Sequence, residues 1–533
     1  MNGAQSLFKA LTDAGLDTCF ANPGTSEMQL VYEIGLTKGV RAVLCLQENT
    51  VTGAADGYGR MAGKPAFTLL HVGSGFANGI ANIHNAGRAN TTMVNIVGAN
   101  ATYHQANYPE HELINGRIVD RARVVSHWAH EAKSASDLGV LGALAARYAR
   151  IGAGKICTVI APTNCHWDPA VAPPEPAGPM ETPKVSPQTI QDVVALLTNG
   201  KKTAIVLGSH ALYGDGLELA GRIAAKTGAD ILGETTASRF ARGEGRVPVQ
   251  LIPYLPEEAV PFLKPYAQLI LVGALFPVTT FAYKGMPVIK VPQAAKRRLW
   301  QPWTTTYWLR SAISPKRSAH LLNRPRRARS NGSPPAGVLT DAAIGQSLGI
   351  LLPENAIVVS EHPTTDPAVY HWTEGARAHD YLEGSCGGAI GAGLPVALGA
   401  AVACPDRKTV VIEGDGCGMY TVQALWSIAR EKADVTVVLV KNDSYAILNI
   451  ELARAREGDA SEKMLSMLHL DDPTLDWVKI AEGQGVPASR ATTAEEFHKQ
   501  FEAAMATKGP RLIEAQIVQD LQPITDLVHK NRG

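Results

Sequence analysis

The sequence predicts an α/β protein of three domains, each built on a mainly parallel sheet flanked by helices. Two observations lead there. Short runs of aliphatic and β-branched residues alternate with helix-like segments along the chain, the pattern of a parallel sheet with covering helices. Two breaks then divide that alternation. Pro169 to Pro187 holds seven prolines and reads as an extended linker, and Asn331 to Gly337 is a Ser/Pro/Gly linker. The 533 residues fall into domains 1–175, 188–337 and 338–533, which suits about 150 to 200 residues per domain.

Taken in order, Leu7–Ala14 reads as a helix, Thr18–Ala21 as a short strand and Glu27–Lys38 as a helix. Ala42–Leu46 follows as a strand, Thr50–Ala62 as a helix and Ala66–His71 as a strand, with further strands at Val94–Val97 and Ile156–Ala161. The second domain offers strands at Thr203–Leu207, Leu269–Val272 and Val288–Val291, and the third at Ala356–Val359, Thr409–Ile412, Val435–Val440 and Leu512–Ile517.

Composition narrows the class of partner. Hydrophobic residues make up 45% of the chain, and 50 Lys plus Arg stand against 49 Asp plus Glu, a net charge of +1. That balance argues against nucleic acid or an anionic membrane as the partner. One local exception is 294–337, with ten Lys or Arg, no acidic residue and three tryptophans. It reads as a solvated basic linker, with a surface for an anionic ligand or nucleic acid as the alternative. The seven cysteines are scattered without CxxC or zinc spacing, and several sit in apolar runs, which suits buried free thiols in a reducing, cytoplasmic compartment. The N-terminal segment lacks a signal-peptide apolar core. Gly387–Cys404 carries no charge over 18 residues but holds five glycines and Pro395, so it is expected as a helix buried between layers and not as a membrane span.

The strongest chemical signal lies in the third domain. The strand through Ile412-Glu413 runs into Gly414-Asp415-Gly416, and after 25 intervening residues Asn442 stands just past the next strand. Parallel strands open on one edge, where ligands bind, so Asp415 and Asn442 are expected to face one point with hard oxygen ligands suited to Mg²⁺. The glycines let a backbone approach a diphosphate, and a helix starting near Tyr420 is expected to aim its N-terminus there.

This arrangement resembles the cofactor motif of thiamine-diphosphate-dependent enzymes, and the likeness extends over essentially the whole chain. Asn22-Pro23-Gly24-Thr25-Ser26-Glu27, Gln47-Glu48 and Gly53-Ala54-Ala55-Asp56-Gly57-Tyr58-Gly59-Arg60 match the pyrimidine-binding domain. The 2-oxo-acid decarboxylase and acetolactate-synthase-like group fits best. Its benzoylformate-decarboxylase members are closest, through Asn22-Pro23-Gly24, Gln47-Glu48, His71 and Ala424-Leu425-Trp426. The resemblance implies the thiamine-diphosphate-binding fold, with a Rossmann-like central domain between a pyrimidine domain and a diphosphate domain.

It also implies roles. Glu48 matches the buried glutamate that hydrogen-bonds the aminopyrimidine, so that the cofactor removes its own C2 proton. Asp415, Asn442 and the backbone carbonyl of Ser444 match the metal ligands. Pro23, Gly24, Gly414, Gly416, Cys417, Gly418, Tyr420 and Tyr445 fall in the cofactor-binding segments, and Ile390 matches the apolar residue that bends the cofactor. His71 matches a proton-transfer histidine, and Thr25 or Ser26 the hydroxyl for the substrate carboxylate. The decarboxylase pattern also places a second histidine in the central domain, where Val272–Pro287 has none and carries Thr279, Thr280 and Phe281 instead. Cys417 and Lys441 stand where relatives often place a hydroxyl and a first Asn. Some relatives carry FAD in the central domain, and no residue pattern here requires it.

The resemblance therefore implies non-oxidative decarboxylation of a 2-oxo acid through a C2 carbanion and an enamine. The alternative is a carboligase that joins the enamine to a second carbonyl compound. A catalytically silent partner subunit is a third reading, which the presence of Glu48 opposes. Because the family's cofactor lies between two subunits, at least a homodimer, and more specifically a tetramer, is implied.

Overall fold

The computed structural model describes residues 1–107, 111, 116–176, 178, 184–291, 296–298, 332–455 and 459–530. Its first sheet is formed by β1 (Thr18–Asn22), β2 (Arg41–Leu44), β3 (Ala66–Leu70), β4 (Met93–Ala99), β5 (Trp128–Glu131) and β6 (Ile156–Pro162). These pair in the order β2-β1-β3-β4-β6-β5, and every pairing is parallel. β3, β4 and β6 are buried along their full length, as befits strands covered on both faces. β5 is the strand the sequence hides: Trp-Ala-His-Glu is short and polar enough to pass for a loop, and it sits at the edge.

The next segment supplies β7 (Thr203–Leu207), β8 (Asp230–Gly233), β9 (Phe240–Arg242), β10 (Gln250–Leu251), β11 (Gln268–Val272) and β12 (Lys296–Arg298). Five of these form a parallel sheet in the order β10-β8-β7-β11-β12. The strand expected at Val288–Val291 does not form. Ile289 makes one isolated bridge to Val278, and Lys290 is buried so that its ammonium donates to the Pro253 and Tyr254 carbonyls at 3.1 and 3.2 Å. The edge of β11 is taken by β12 instead. Of the basic segment 294–337, only 296–298 and 332–337 lie within the described residues, so the readings placed on its remainder fall outside them.

The third sheet comprises β13 (Ile357–Glu361), β14 (His379–Glu383), β15 (Thr409–Gly414), β16 (Val435–Lys441), β17 (Ala488–Ala491) and β18 (Arg511–Gln516). Its order is β17-β18-β16-β15-β13-β14-β9, parallel except where β9 crosses over from the central segment and pairs antiparallel with β14. The apolar run around residue 395 becomes the buried helix Gly393–Ala403. Among the described residues no helix is long and apolar enough to cross a membrane.

The units are not separate globules. One apolar core runs from Phe20, Val51 and Phe76 through Leu394, Val411 and Trp477, joining the first and third sheets. A second joins Leu207 and Ile270 of the central sheet to Ile344, Val410 and Phe497. The helices Glu48–Ala62 and Gly393–Ala403 cross at the first of these seams. Beside them the buried Arg60 pairs with Asp56 and donates to the Glu383 and Ser238 carbonyls, tying all three segments together.

Candidate active site

The C-terminal edges of the first and third sheets carry the two halves of the expected site. In the first sheet the order β2-β1-β3-β4 sets four loops side by side. Glu48 follows β2, Gly24 to Glu27 follow β1, His71 follows β3, and Gly98 lies at the end of β4. Glu48 opens its helix, with Gln47 as the cap accepting from Thr50 N at 3.1 Å. A carboxylate in a helix's first turn meets the positive end of the dipole. Glu48 is 8% exposed, and Asn78 Nδ2 donates to its Oε2 at 3.1 Å. Gly75 separates it from His71: a Cβ built on Gly75 would lie 2.6 Å from Glu48 Oε1 and 3.2 Å from His71 Cβ.

His71 in turn faces the buried Glu27, with Nδ1 2.7 Å from Oε2. Its successor, Val72, holds φ +39°, a conformation a β-branched residue rarely adopts. The structure thus brings Glu48, His71 and Gly24 together. Thr25 and Ser26 lie on the short 3₁₀ turn Thr25–Glu27, Thr25 exposed and Ser26 half-buried, with Pro23 half-buried just before them.

In the third sheet the order β16-β15-β13 sets Asn442, Asp415 and Glu361 on one edge. Gly414 caps a single helical turn, Asp415–Gly418, so the helical N-terminus stands at Asp415 and not near Tyr420, which lies in the following 3₁₀ turn. Asp415 accepts from the backbone N–H of Gly416 at 2.8 Å, Asn442 at 3.2 Å and Asp443 at 2.7 Å. Burial pushes its carboxyl up to about 6. Asn442 donates Nδ2 to Gln519 Oε1 at 2.8 Å, which turns its Oδ1 the other way, where it accepts from Ser444 N at 3.1 Å.

Asp415 and the turn 442–444 are thus tied together by hydrogen bonds. Among the described residues no group of three His, Cys, Asp or Glu side chains is disposed to hold a metal. The donor set expected from the sequence is of another kind, one carboxylate with amide and carbonyl oxygens, and that chemistry fits Mg²⁺. Lys441, where a first Asn was expected, pairs with Asp443 and donates to Thr474 Oγ1 at 2.8 Å. The ring of Tyr445 lies over Gly416, where a Cβ would meet its Cδ1 at 2.9 Å, and Trp477 backs Gly418, where a Cβ would lie 2.8 Å from its Cη2. Cys417 is half-buried beside Gly414, and burial raises its thiol well above the usual range.

Ile390 is half-buried on the turn 387–391, where Gly388 and Gly391 take φ +82° and +91°, open only to glycine without strain. Residues that sequence reasoning passed over clamp this turn. Asn85 donates to Ala389 O at 2.7 Å and accepts from Gly387 N and Ala389 N, while Asn82 donates to Gly391 O at 3.1 Å. Glu361 accepts from the N–H groups of Gly391, Ala392 and Gly393. Burial pushes Glu361 up to about 7, and Glu413 beside it is raised by burial and by the charge of Glu361. The only sequence signal for Glu361 was its place at a strand end.

In the central sheet the ends of β7 and β11 lie against each other. Gly208 N donates to Val272 O at 3.0 Å, and a Cβ on Gly208 would lie 2.7 Å from Ala274 Cα, Gly273 O and Glu234 Oε1.

These two sheet edges can be set against known proteins. Residues 1–119 match the family "Thiamine pyrophosphate enzyme, N-terminal TPP binding domain", and residues 367–515 its C-terminal TPP binding domain. IlvX of Mycobacterium tuberculosis, provisionally described as an acetolactate synthase large subunit, is 42% identical over 97% of this chain and 99% of its own. This chain belongs to the thiamine pyrophosphate enzymes. Within them it lies in the acetolactate synthase and benzoylformate decarboxylase group. Benzoylformate decarboxylase of Pseudomonas aeruginosa is 26% identical over 97% of this chain and 98% of its own. The structure of a thiamine diphosphate-dependent 4-hydroxybenzoylformate decarboxylase from Rhodococcus jostii RHA1 superposes with a TM-score of 0.82 at 25% identity, covering 98% of this chain and 100% of that one. A thiamine pyrophosphate enzyme of this group is a decarboxylase or an acetolactate-synthase-like carboligase.

Proposed function

We propose that this protein catalyses the thiamine-diphosphate- and Mg²⁺-dependent, non-oxidative decarboxylation of a 2-oxo acid. The observation that carries the proposal is the pairing of buried Glu48 with His71 across Gly75, on the sheet edge where β1, β2 and β3 end. Bound thiamine diphosphate supplies the carbon nucleophile and electron sink that this chemistry requires.

The chain's own residues do the rest. Asp415, Asn442 and the Ser444 carbonyl hold Mg²⁺. Gly414, Gly416, Cys417, Gly418, Tyr420 and Tyr445 line the diphosphate, and Ile390 supports the cofactor's bend. Pro23 and Gly24 border the pyrimidine, and Glu48 offers it a carboxylate in a site with little water, where a hydrogen bond to a charged group is strong. Thr25 or Ser26 holds the substrate carboxylate. His71, 21% exposed at its side chain, carries the proton that the product needs.

A second reading, carboligation, is favoured by one feature. The central-domain loop that lacks a histidine carries Leu275, Val278 and Phe281 with 47%, 49% and 58% exposure, apolar side chains in place of a second proton-transfer group.

The enzyme works as a homodimer or a tetramer of such dimers. Met28, Tyr32 and Leu36 are exposed at four-residue spacing beside the Thr25–Glu27 turn, and Met419 and Tyr420 beside the diphosphate loop. A second copy covers both faces. The seven free thiols suit a reducing, cytoplasmic setting.

The test supplies purified protein with thiamine diphosphate and Mg²⁺ and measures CO₂ and carbonyl products from benzoylformate and pyruvate. An aldehyde matching the acid supports decarboxylation, and an acyloin supports ligation. No CO₂ from either acid overturns both readings for these substrates.

A further inference from the structure

We propose that Glu27 is the positioning residue of His71, holding its ring with the hydrogen on Nδ1 so that Nε2 is the atom that exchanges the proton. The inference rests on the role proposed above for His71.

Glu27 is 0% exposed, a cost that an acidic side chain bears only with a partner. Its Oε2 accepts from Gly24 N at 2.8 Å and lies 2.7 Å from His71 Nδ1. An oxygen already accepting a backbone N–H is set as an acceptor, so the proton of the second bond belongs on the ring. The tautomer of a catalytic imidazole is fixed by such a contact.

The surroundings are shaped for this pair. A Cβ on Gly98 would lie 2.6 Å from Glu27 Cδ, and one on Gly24 would lie 2.5 Å from His71 Cε1. Only glycine at both positions lets the carboxylate and the ring lie flat against the two strand ends. Oε1 of Glu27 has no hydrogen-bond partner among the described residues, so the one firm use of this buried carboxylate is through Oε2. The strained Val72 directly after His71 fits a ring held by its surroundings and not by local backbone preference.

Among the described residues, the other titratable groups that face His71 are His111, whose ring centroid is 5.1 Å away at 75°, and Glu48 across Gly75. His111 meets the ring by its edge, and Gly75 stands between His71 and Glu48. Neither makes a hydrogen bond to Nδ1, which leaves Glu27 as the group that sets the tautomer.

The test is ¹³C/¹⁵N spectroscopy of histidine-labelled protein loaded with thiamine diphosphate and Mg²⁺, with His71→Asn assigning the ring. The expected result is an Nδ1–H tautomer in the native enzyme and in Glu27→Gln, whose amide oxygen can stand where Oε2 does, and its loss in Glu27→Leu, which removes the acceptor. An unchanged ring signature in Glu27→Leu, or an Nε2–H ring in the native enzyme, overturns the proposal. A second readout uses whichever of benzoylformate and pyruvate releases CO₂. Glu27→Leu should lower kcat by about 10²-fold with little change in KM or in cofactor affinity, and add nothing further in a His71→Ala background. Additive losses would overturn it. If neither acid is turned over, the function proposed above fails for these substrates, and the ring signature still decides the role of Glu27.

Discussion

Replacing Gly399 with Ala places a single methyl group where the Gly393–Ala403 helix crosses the helix that begins at Glu48. Judged on helix propensity alone, Gly399→Ala should stabilise the protein by about 1 kcal/mol. The crossing reverses the sign. A Cβ on Gly399 would lie 2.7 Å from both Ala54 C and Tyr58 N, with the Ala54 oxygen nearer still. Ordinary carbon contacts need about 3.5–4.0 Å, so the helices must part by about 1 Å.

Backbone, and not a flexible side chain, is what the methyl meets, and Gly57 makes the reciprocal approach, its Cβ 2.7 Å from Val396 C. Parting the helices loosens Leu394, Val396, Ala397 and Leu398 against Val51, Ala54 and Ala55, all within the core shared by the first and third sheets. Overpacking of this kind costs about 3 kcal/mol, leaving a net loss of about 2 kcal/mol after the helical gain. Spread over a cooperative unit of this size, that lowers Tm by about 2 °C.

Because Glu48 opens one helix and the Ile390 turn precedes the other, thiamine diphosphate affinity should fall as well. Gly483→Ala, at a helix end with nothing within 4 Å of the new methyl, is the control and should gain about 0.5 kcal/mol. Differential scanning calorimetry of the three proteins decides the matter. A Tm for Gly399→Ala equal to or above that of the native protein would refute the reasoning.

Four further outcomes are expected. Glu48→Gln should retain thiamine diphosphate by calorimetric titration while losing at least about 10²-fold in turnover, and unchanged turnover would remove Glu48 from the mechanism. Gln519→Ala frees the amide of Asn442 and should weaken Mg²⁺ binding about tenfold, measured by titration of the metal in the presence of thiamine diphosphate. FAD added to the purified enzyme should not copurify on gel filtration, since no residue pattern of the central domain calls for it. His166 is 0% exposed, and burial holds it down at about 4. Below pH 6.5 the unfolded chain therefore takes up a proton there that the folded chain refuses until about pH 4, so this group's contribution to stability falls with pH across that window. Between pH 6.5 and 5 the native protein should lose about 1.5 kcal/mol more than His166→Gln, and equal losses in urea titrations would contradict the burial argument.

The parallel α/β class, most of the long strands and the position of each motif at a strand end are legible in the residues themselves. Aliphatic runs such as Val435–Val440 and Thr203–Leu207 are local signals, and a strand buried on both faces announces itself in its own residues. Asp415 and Asn442 were legible because their positions are fixed relative to strand ends, and neighbouring parallel strands share an edge. Elements whose placement depends on distant partners were not. β9 leaves the central segment to pair with β14, Val288–Val291 yields its edge to β12, and β5 is polar enough to hide.

The site shows the same division. Glu27, His71 and Gly98 are far apart in sequence, and only the order β1-β3-β4 sets them side by side. Asn82 and Asn85 reach the Ile390 turn only because the first and third sheets share one core. Periodicity records which face of an element is buried. It carries no record of which other element buries it, and that choice, made by packing across the whole chain, is what assembles the candidate site.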